Sequence, residues 1–202
     1  MQTILLASNN GKKIAELSAI LASFGIEIKA QRDYGIEDVP ETGLTFIENA
    51  LIKARHAARQ SGLPAIADDS GLCVPALGGA PGIYSARYSG EGDAGNNRKL
   101  LAALENVQDR RAYYVCLIVY LRHADDPLPI IAQGLWHGTI ALEARGDGGF
   151  GYDPVFVPAA EDAPGGAGRT TAQMSAREKN AISHRGRAFR ALAPALVDLL
   201  TA

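Results

Sequence analysis

Two adjacent carboxylates stand in an apolar segment, "IADDSGL" at residues 66–72. Neighbouring like charges repel and raise each other's pKa unless a positive charge lies between them. A metal ion, a basic side chain or water could supply the compensation, and Mg²⁺ prefers a few carboxylates combined with phosphate oxygens. One carboxylate of Asp68 and Asp69 could therefore bind Mg²⁺ while its neighbour orients water or a cation, although two acids in a turn also commonly cap a helix.

The geometry of a strand limits what this pair can do together. Successive side chains of an extended strand point to opposite faces. Asp68 and Asp69 could share one role only if the chain bends, and the Ser70-Gly71 sequence predicts such a bend.

A second polar segment, "SNNGKK" at residues 8–13, follows a short apolar run. Glycine allows close approach of the backbone, amides at the start of a helix bind anions, and Lys13 adds a positive charge. The pattern differs from the P-loop, which has a longer glycine spacing. It predicts either a phosphate cradle or an ordinary polar turn between a strand and a helix.

A third candidate acid, Glu41 in "ETG", precedes a segment with helical periodicity. Asn49 and Lys53 are four residues apart in that segment, so they share one face of a helix and could both point towards Glu41. The alternative is that Lys53 is an ordinary solvated lysine on a helix surface.

Two further segments combine donors with aromatic rings. In "GGFGYD" at residues 148–153, the aromatic residues between glycines suit stacking on a flat ring, or they anchor a turn in the core. In "KNAISHR" at residues 179–185, Lys179, His184 and Arg185 offer donors for oxyanions or carbonyl edges. An exposed basic helix face, with His184 as a capping residue, is the alternative. His56, His123 and His137 lack metal-ligand spacing.

The elements that must position these residues alternate between strand and helix in the first half, and the middle is rich in strands. Strands are predicted at residues 3–8, 26–30, 111–123 and 129–144, with a strand, an interruption and a strand over 63–77 and a short strand ending at 158. Helices are predicted after residue 10, from Thr45 to Gly62, over 97–107, and from Ser175 onwards with a kink or division at Pro194. Loops are predicted at 78–92 and 161–170. This order indicates an α/β domain with a mixed sheet.

Composition excludes several classes of protein. The 202 residues suffice for one domain, or one domain with two lobes. A net charge of −2 argues against a nucleic-acid surface, and no apolar run is long enough to span a membrane. The first ten residues lack the pattern of a secretion signal. Cys73 and Cys116 lie in apolar runs and are expected to be reduced thiols, which indicates a cytoplasmic location.

Taken together, these segments resemble one family, the inosine/xanthosine triphosphate pyrophosphatases, which clear deaminated purine nucleotides. The matching stretches follow the family's order from residue 8 to residue 185: "SNNGKKIAEL", "ETGLTFIENALIKA", "ADDSGLCVPALGGAPGIYSARY", "GGFGYDPVF" and "MSAREKNAISHR". The resemblance implies one α/β domain over residues 1–202, two-lobed, with a long mixed β-sheet flanked by helices and an active-site cleft between the lobes. It also implies a homodimer and Mg²⁺-dependent cleavage of a purine nucleoside triphosphate to the monophosphate and pyrophosphate.

The resemblance also implies roles for individual residues. Asp69 would be the general base, and Glu41, Asp69 and Asp68 would lie near the metal. The substrate would be bound by Ser8, Asn9, Asn10, Gly11, Lys12, Lys13, Lys53, Ser70, Phe150, Gly151, Tyr152, Asp153, Lys179, His184 and Arg185.

The sequence departs from the family's pattern in two places. Lys12 stands where a glycine commonly precedes the phosphate-binding lysine, so Lys12 and Lys13 could exchange roles. Arg169 and Thr171 replace the more usual lysine and phenylalanine. Two alternatives to this function are a Mg²⁺-dependent phosphatase that releases orthophosphate and a nucleotide-binding module without turnover.

Overall fold

A computed structural model of the chain describes residues 2–21, 25–162 and 168–201. A mixed six-stranded sheet runs through these residues. Its strands are β1 (Gln2–Leu6), β2 (Ile26–Ala30), β3 (Ala65–Cys73), β4 (Arg111–Leu121), β5 (Ile130–Ile140) and β6 (Phe156–Pro158). Their order is β2-β1-β3-β4-β5-β6. β1 is parallel to both β2 and β3, whereas β5 and β6 are antiparallel.

The helices are α1 (Gly11–Leu21), α2 (Phe46–Ser61), α3 (Gly92–Ala103), α4 (Ala176–Ile182) and α5 (His184–Thr201). Short 3₁₀ helices occupy Gln31–Tyr34, Pro75–Leu77, Gly82–Arg87 and Thr171–Gln173. Within the described ranges, no helix is both long enough and apolar enough to cross a bilayer. The expected α/β fold with a mixed sheet and flanking helices is confirmed.

Local sequence accounts for two of the helix starts. The Thr45 hydroxyl accepts a hydrogen bond from the Glu48 N–H, as an N-cap does, and Gly62 ends α2 with its N–H on the Ala58 carbonyl. Ser175 caps α4 in the same way, and the Glu178 carboxylate accepts a hydrogen bond from the Ser175 N–H at 2.7 Å. Both caps were predicted from the sequence.

Contacts divide the chain into two compact units. The first unit comprises Met1–Asp69, Cys116–Gln133 and Ala188–Ala202, and the second comprises Ser70–Val115 and Gly134–Arg187. The second unit has its own core, in which Trp136, Phe156 and Leu100 are fully buried.

The first unit has two apolar layers, which meet β3 on alternate residues. Ile66 belongs to the layer that contains Leu17 of α1 and Phe189 of α5. Ala65 and Ala67 belong to the layer that contains the alanines of α2. The alternation that the strand geometry requires is therefore present directly before the acidic pair.

The predicted interruption at Ser70-Gly71 is wrong, because β3 is one strand from Ala65 to Cys73. Serine and glycine favour turns only where no neighbouring strand satisfies their backbone groups, and the sheet supplies that partner. All residues of β3 except Ser70 are buried.

Other element boundaries also differ from the predictions. α3 begins at Gly92 and ends at Ala103, earlier than the predicted 97–107, and residues 82–87 of a predicted loop form a 3₁₀ helix. The final helical region divides at Ser183, whose backbone is extended, whereas α5 continues through Pro194. β5 ends at Ile140 rather than residue 144. In the predicted loop 161–170, residues 163–167 lie outside the described residues.

Candidate active site

Asp68 forms a buried ion pair with a lysine from the first helix. The Nζ atom of Lys13 lies 2.8 Å from Oδ1 and 2.7 Å from Oδ2 of Asp68, whose side chain is 1% exposed. Lys13 lies in the first turn of α1, on the side of β3 to which Ile66 also points. The first acid of the pair therefore receives its positive charge from within the fold.

Asp69 belongs to a different cluster, on the face of β3 next to α2. The Nζ atom of Lys53 donates to Oε1 of Glu41 at 2.5 Å and lies 3.7 Å from Oδ1 of Asp69. The side chains of Glu41 and Asp69, both selected from the sequence, thus meet at the ammonium group of Lys53. Asp68 and Asp69 serve two clusters because the strand does not bend between them.

The charge state of Lys53 follows from these neighbours. Burial is the strongest influence, and it acts to lower the lysine pKa. The charges of Asp69 and Asp68 and the hydrogen bond to Glu41 act in the opposite direction. They outweigh burial, so the pKa of Lys53 lies above its usual value and the ammonium form is maintained.

The turn between β1 and α1 is held by its own polar side chains. The Ser8 hydroxyl accepts from the Asn10 N–H at 3.2 Å, and the Asn10 side-chain oxygen accepts from the Lys13 N–H at 3.4 Å. Asn9 is exposed and donates to Asp38 at 3.3 Å. Gly11 begins the helix. The segment therefore presents the start of a helix beside Lys13, which is the setting expected for an anion site.

Lys12 lies in the same turn of α1, but its side chain is outside the described part of the chain. The possible exchange of roles between Lys12 and Lys13 therefore stays a prediction.

A tight turn places Glu41 next to α2. The Asn49 side-chain oxygen accepts from the Gly43 N–H at 2.8 Å, and Asn49 is fully buried. A Cβ atom on Gly43 would lie 2.6 Å from the Glu48 Cβ, which is too close for any other residue. The glycine of "ETG" is thus required by close packing, and the turn fixes the backbone two residues after Glu41.

The acids of the first unit fit a hard divalent cation. Glu41 and Asp69 bring carboxylate oxygens to one positive charge, and Mg²⁺ in proteins is usually held by one or two carboxylates together with substrate phosphates. No group of three or more His, Cys, Asp or Glu side chains is arranged to hold a metal in the described ranges. A cation here would therefore need oxygen ligands beyond the protein.

The second unit contains a pocket of about 160 Å³. It is lined by all the predicted site residues of this unit: Ser70, residues 150–153, Lys179, His184 and Arg185. The two segments selected for their aromatic and basic residues, "GGFGYD" and "KNAISHR", therefore contribute to one cavity.

Asp153 organises one wall of this pocket. Its Oδ2 atom accepts from Lys179 Nζ at 2.5 Å and from the Phe150 N–H at 2.9 Å, while Oδ1 accepts from the Thr171 hydroxyl at 2.9 Å. The Lys179 ammonium also lies 4.3 Å from the centre of the Phe150 ring, within the range of a cation–π interaction. The Phe150 side chain is 47% exposed, so a flat aromatic face is accessible beside a positive charge.

His184 is stacked on a neighbouring ring. Its imidazole lies parallel to Tyr114, with ring centres 4.6 Å apart and planes 7° apart. Burial is the main reason that the pKa of Tyr114 lies well above its usual value, and the charge of Asp153 adds to the effect. Tyr114 thus remains a neutral platform under His184 at any ordinary pH.

The sequence predictions missed several lining residues of the pocket. Ser85 and Ala86 line the pocket from the 3₁₀ helix Gly82–Arg87, which was predicted to be a loop. Asp93 lies in the first turn of α3, and Tyr114 lies in β4, which was predicted to be a central strand. Tyr152, which was predicted either to stack on a flat ring or to anchor a turn, is 3% exposed, and its hydroxyl donates to the Ser85 carbonyl at 2.8 Å. The sequence hinted at these residues only through the many glycine and polar residues over 78–97. That composition predicts a loop but does not indicate which of its residues contact the pocket.

The fold and these side chains define an α/β protein with paired lysines and carboxylates in one unit and an aromatic, basic pocket in the other. The chain belongs to the Ham1 family, whose model matches residues 4–195.

Similar proteins extend over nearly the full length of the chain. It is 55% identical over 200 residues to a dITP/XTP pyrophosphatase of Shigella flexneri, covering 97% of this chain and 98% of that one. A dITP/XTP pyrophosphatase of Escherichia coli K12 is 54% identical over 200 residues, with the same coverage. A solved HAM1 protein of Coxiella burnetii has a TM-score of 0.92 at 46% identity, covering 98% of this chain and 100% of that chain. The Staphylococcus aureus Ham1 protein has a TM-score of 0.87 at 40% identity, with the same coverage.

Proposed function

We propose that this protein is a nucleoside triphosphate pyrophosphatase that hydrolyses deaminated purine nucleotides (ITP, dITP and XTP). The observation that carries the proposal is the convergence of Glu41, Asp69 and Lys53 in a chain more than half identical to dITP/XTP pyrophosphatases. The products are the nucleoside monophosphate and pyrophosphate.

The first unit has the groups that the phosphate chain requires. Lys13 and Lys53 supply positive charge, and a lysine ammonium has three donors, so Lys13 can contact a phosphate while it also pairs with Asp68. The start of α1 adds the partial positive charge of a helix N-terminus beside Lys13. Together they stabilise negative charge that develops on the phosphoryl oxygens and on the leaving pyrophosphate.

Asp69 is the proposed general base. It accepts a proton from the attacking water as the new phosphorus–oxygen bond forms, and the bond to the pyrophosphate oxygen breaks. Lys53, held in its charged form 3.7 Å from Oδ1 of Asp69, places a positive charge beside the carboxylate that accepts the proton. The carboxylates of Glu41 and Asp69 would hold Mg²⁺, which when bound offsets the charge of the triphosphate.

The pocket of the second unit suits the purine base. Phe150 offers a face for stacking, and Lys179 and Arg185 offer donors to a 6-oxo group. A base with an amine at that position leaves such donors unpaired, which is a large penalty and disfavours adenine nucleotides. We also propose that the protein acts in the cytoplasm as a homodimer. The proposal of a dimer rests on the family resemblance alone.

The test is pyrophosphate release from ITP in the presence of Mg²⁺ by wild type and Asp69→Asn. The variant should lose roughly 100- to 10,000-fold in kcat, as expected when a general base is removed. Asp125→Asn is the matched control, because Asp125 is an exposed acid of the same unit that pairs with Arg59. It should retain wild-type turnover.

Three outcomes contradict the proposal in different ways. Near-normal turnover of folded Asp69→Asn removes Asp69 from the role of base. Release of orthophosphate in place of pyrophosphate indicates a phosphatase. Tight binding of ITP without any turnover indicates a nucleotide-binding module.

A further inference from the structure

Two side chains in the first turns of α3 hold the backbone N–H and the backbone carbonyl of Gly151. The Gly151 N–H donates to Oδ2 of Asp93 at 2.6 Å, and the Gly151 carbonyl accepts from Nδ2 of Asn97 at 2.9 Å. Asp93 and Asn97 are four residues apart, so they lie on the same face of the helix. The two successive peptide groups that meet at the Gly151 Cα are therefore fixed by two side chains from one rigid element.

Gly151 itself lines the pocket. Gly151 has a φ of +61°, a left-handed conformation that favours glycine, and it lies between Phe150 and Tyr152. Gly148 and Gly149 precede it, so the local chain has little intrinsic stiffness. The bonds from α3 compensate for that freedom, and they fix the backbone next to the exposed Phe150 ring.

The neighbouring residue Asn96 holds another part of the pocket lining. Its side-chain oxygen accepts from the Ser89 N–H at 2.7 Å, and its Nδ2 donates to the carbonyls of Ser85 at 3.3 Å and Ala86 at 3.2 Å. Asn96 is 1% exposed. Ser85 and Ala86 both line the pocket. Consecutive asparagines of α3 thus support two different parts of the lining.

We propose that Asp93 and Asn97 are positioning residues of the purine pocket, which set its affinity for the base by fixing the backbone on both sides of Gly151 and the adjoining face of Phe150. This inference rests on the proposed function, because it assigns the pocket to a purine. The two residues act on base binding and leave the phosphate-binding groups of the first unit unaffected.

The test uses probes with and without a base. Wild type, Asp93→Ala, Asp93→Asn and Asn97→Leu are compared by KM and kcat for ITP, by calorimetric binding of IMP, and by inhibition with inorganic tripolyphosphate. Asp93→Ala and Asn97→Leu each remove one hydrogen bond. We expect KM for ITP and Kd for IMP to rise roughly five- to tenfold in each variant. The kcat and the tripolyphosphate inhibition constant should stay within about twofold of wild type.

Asp93→Asn is the conservative variant, since it keeps an acceptor oxygen for the Gly151 N–H. It should restore most of the IMP affinity that Asp93→Ala loses. Arg98→Ala is the matched control on the same helix, because Arg98 is exposed and pairs with Glu91 at the surface. It should leave all four quantities unchanged.

The inference is overturned if IMP affinity does not change in Asp93→Ala, or if it falls in parallel with tripolyphosphate affinity. Thermal unfolding of each variant separates a positioning role from a loss of folding. If Asn97→Leu does not fold, the Asp93 variants alone test the inference. Asp93 is exposed, so its replacement should not prevent folding. If wild type binds IMP but does not turn over ITP, the proposed function fails while the positioning role is still tested by IMP binding.

Discussion

Asp68 and Asp69 are adjacent in sequence, yet each has a lysine of its own. The Asp68 side chain is 1% exposed and the Lys13 side chain 18%, so removing Lys13 would leave a buried carboxylate without its partner, which costs about 3–5 kcal/mol. Lys53 instead has two carboxylate neighbours, Glu41 and Asp69, in a more accessible setting. At the scale of the residue, Asp68 is suited to holding Lys13, and the Glu41–Asp69 pair is suited to a cation that arrives with substrate.

The cation role is tested by Glu41→Gln. The amide can still accept a hydrogen bond from Lys53, but it lacks the negative charge that Mg²⁺ prefers. We expect the Mg²⁺ concentration for half-maximal activity to rise roughly tenfold or more, with activity largely restored at high Mg²⁺. Glu37→Gln, at an exposed glutamate, is the control. An unchanged Mg²⁺ dependence would show that Glu41 does not bind the metal.

At the scale of the element, capping residues determine where the helices that carry site lysines begin. Lys53 is in α2, which starts after Thr45, and Lys179 is in α4, which starts after Ser175. Both caps were predictable, because a Ser or Thr followed three residues later by Glu satisfies helix-start amides locally. The start of α3 was not predictable in this way, because "GEGDAGNN" is rich in residues typical of turns. Its helix is supported by buried contacts of Asn96 and Asn97 that only the folded chain provides.

Thr45→Ala tests the cap of α2. Loss of the bond to the Glu48 N–H should reduce the free energy of unfolding by about 1 kcal/mol, measured by urea denaturation. Gln60→Ala, at an exposed position near the other end of α2, should change it by much less. Equal effects of the two substitutions would contradict the capping role.

The cap of α4 predicts a pH dependence. The Ser175 hydroxyl, followed by the Ser175 N–H and Arg169, lowers the pKa of Glu178 to about 2 from a usual value of 4.5. Because the folded pKa is the lower one, this interaction stabilises the fold fully above pH 4.5, and the stabilisation is lost as pH falls towards 2. Carboxyl NMR titration should show the low Glu178 pKa in wild type and a value closer to 4.5 in Ser175→Ala. The same pKa in both proteins would rule out the Ser175 contribution.

At the scale of the whole molecule, the sequence predicted most elements and many of the residues that line the pocket of the second unit, and its main errors come from local preference. Ser70-Gly71 was read as a bend and residues 82–87 as a loop from local preference, whereas pairing in the sheet and bonds to Asn96 determine their structure. The predicted division at Pro194 is wrong, because α5 continues through that residue, whereas a kink there stays a prediction. The candidate acids and lysines could be selected from residue type, but their division between Lys13 and Lys53 depends on the unbroken strand.

Two phenylalanines test whether stability and binding are carried by different residues. Phe189 is 1% exposed in the core of the first unit, and Phe150 is largely exposed at the pocket of the second. Phe189→Ala should lower the free energy of unfolding by about 3–5 kcal/mol. Phe150→Ala should lower it by less than about 1 kcal/mol but raise KM for ITP. Denaturant unfolding and steady-state kinetics on both variants check this, and an unchanged KM in Phe150→Ala would contradict stacking on that ring.

The unbroken course of β3 also makes the count of its residues critical. Deleting Ala67 would reverse the parity of the strand, so that each acid would face the helix that now serves the other. With Ile66 kept in its layer, Asp69 would take the place of Asp68 beside Lys13, and Ser70 would take the place of Asp69 beside Lys53, which would keep only Glu41 as a carboxylate partner. This strand should therefore not accept shortening, and a library of one-residue deletions across residues 65–69 should yield no folded, active protein.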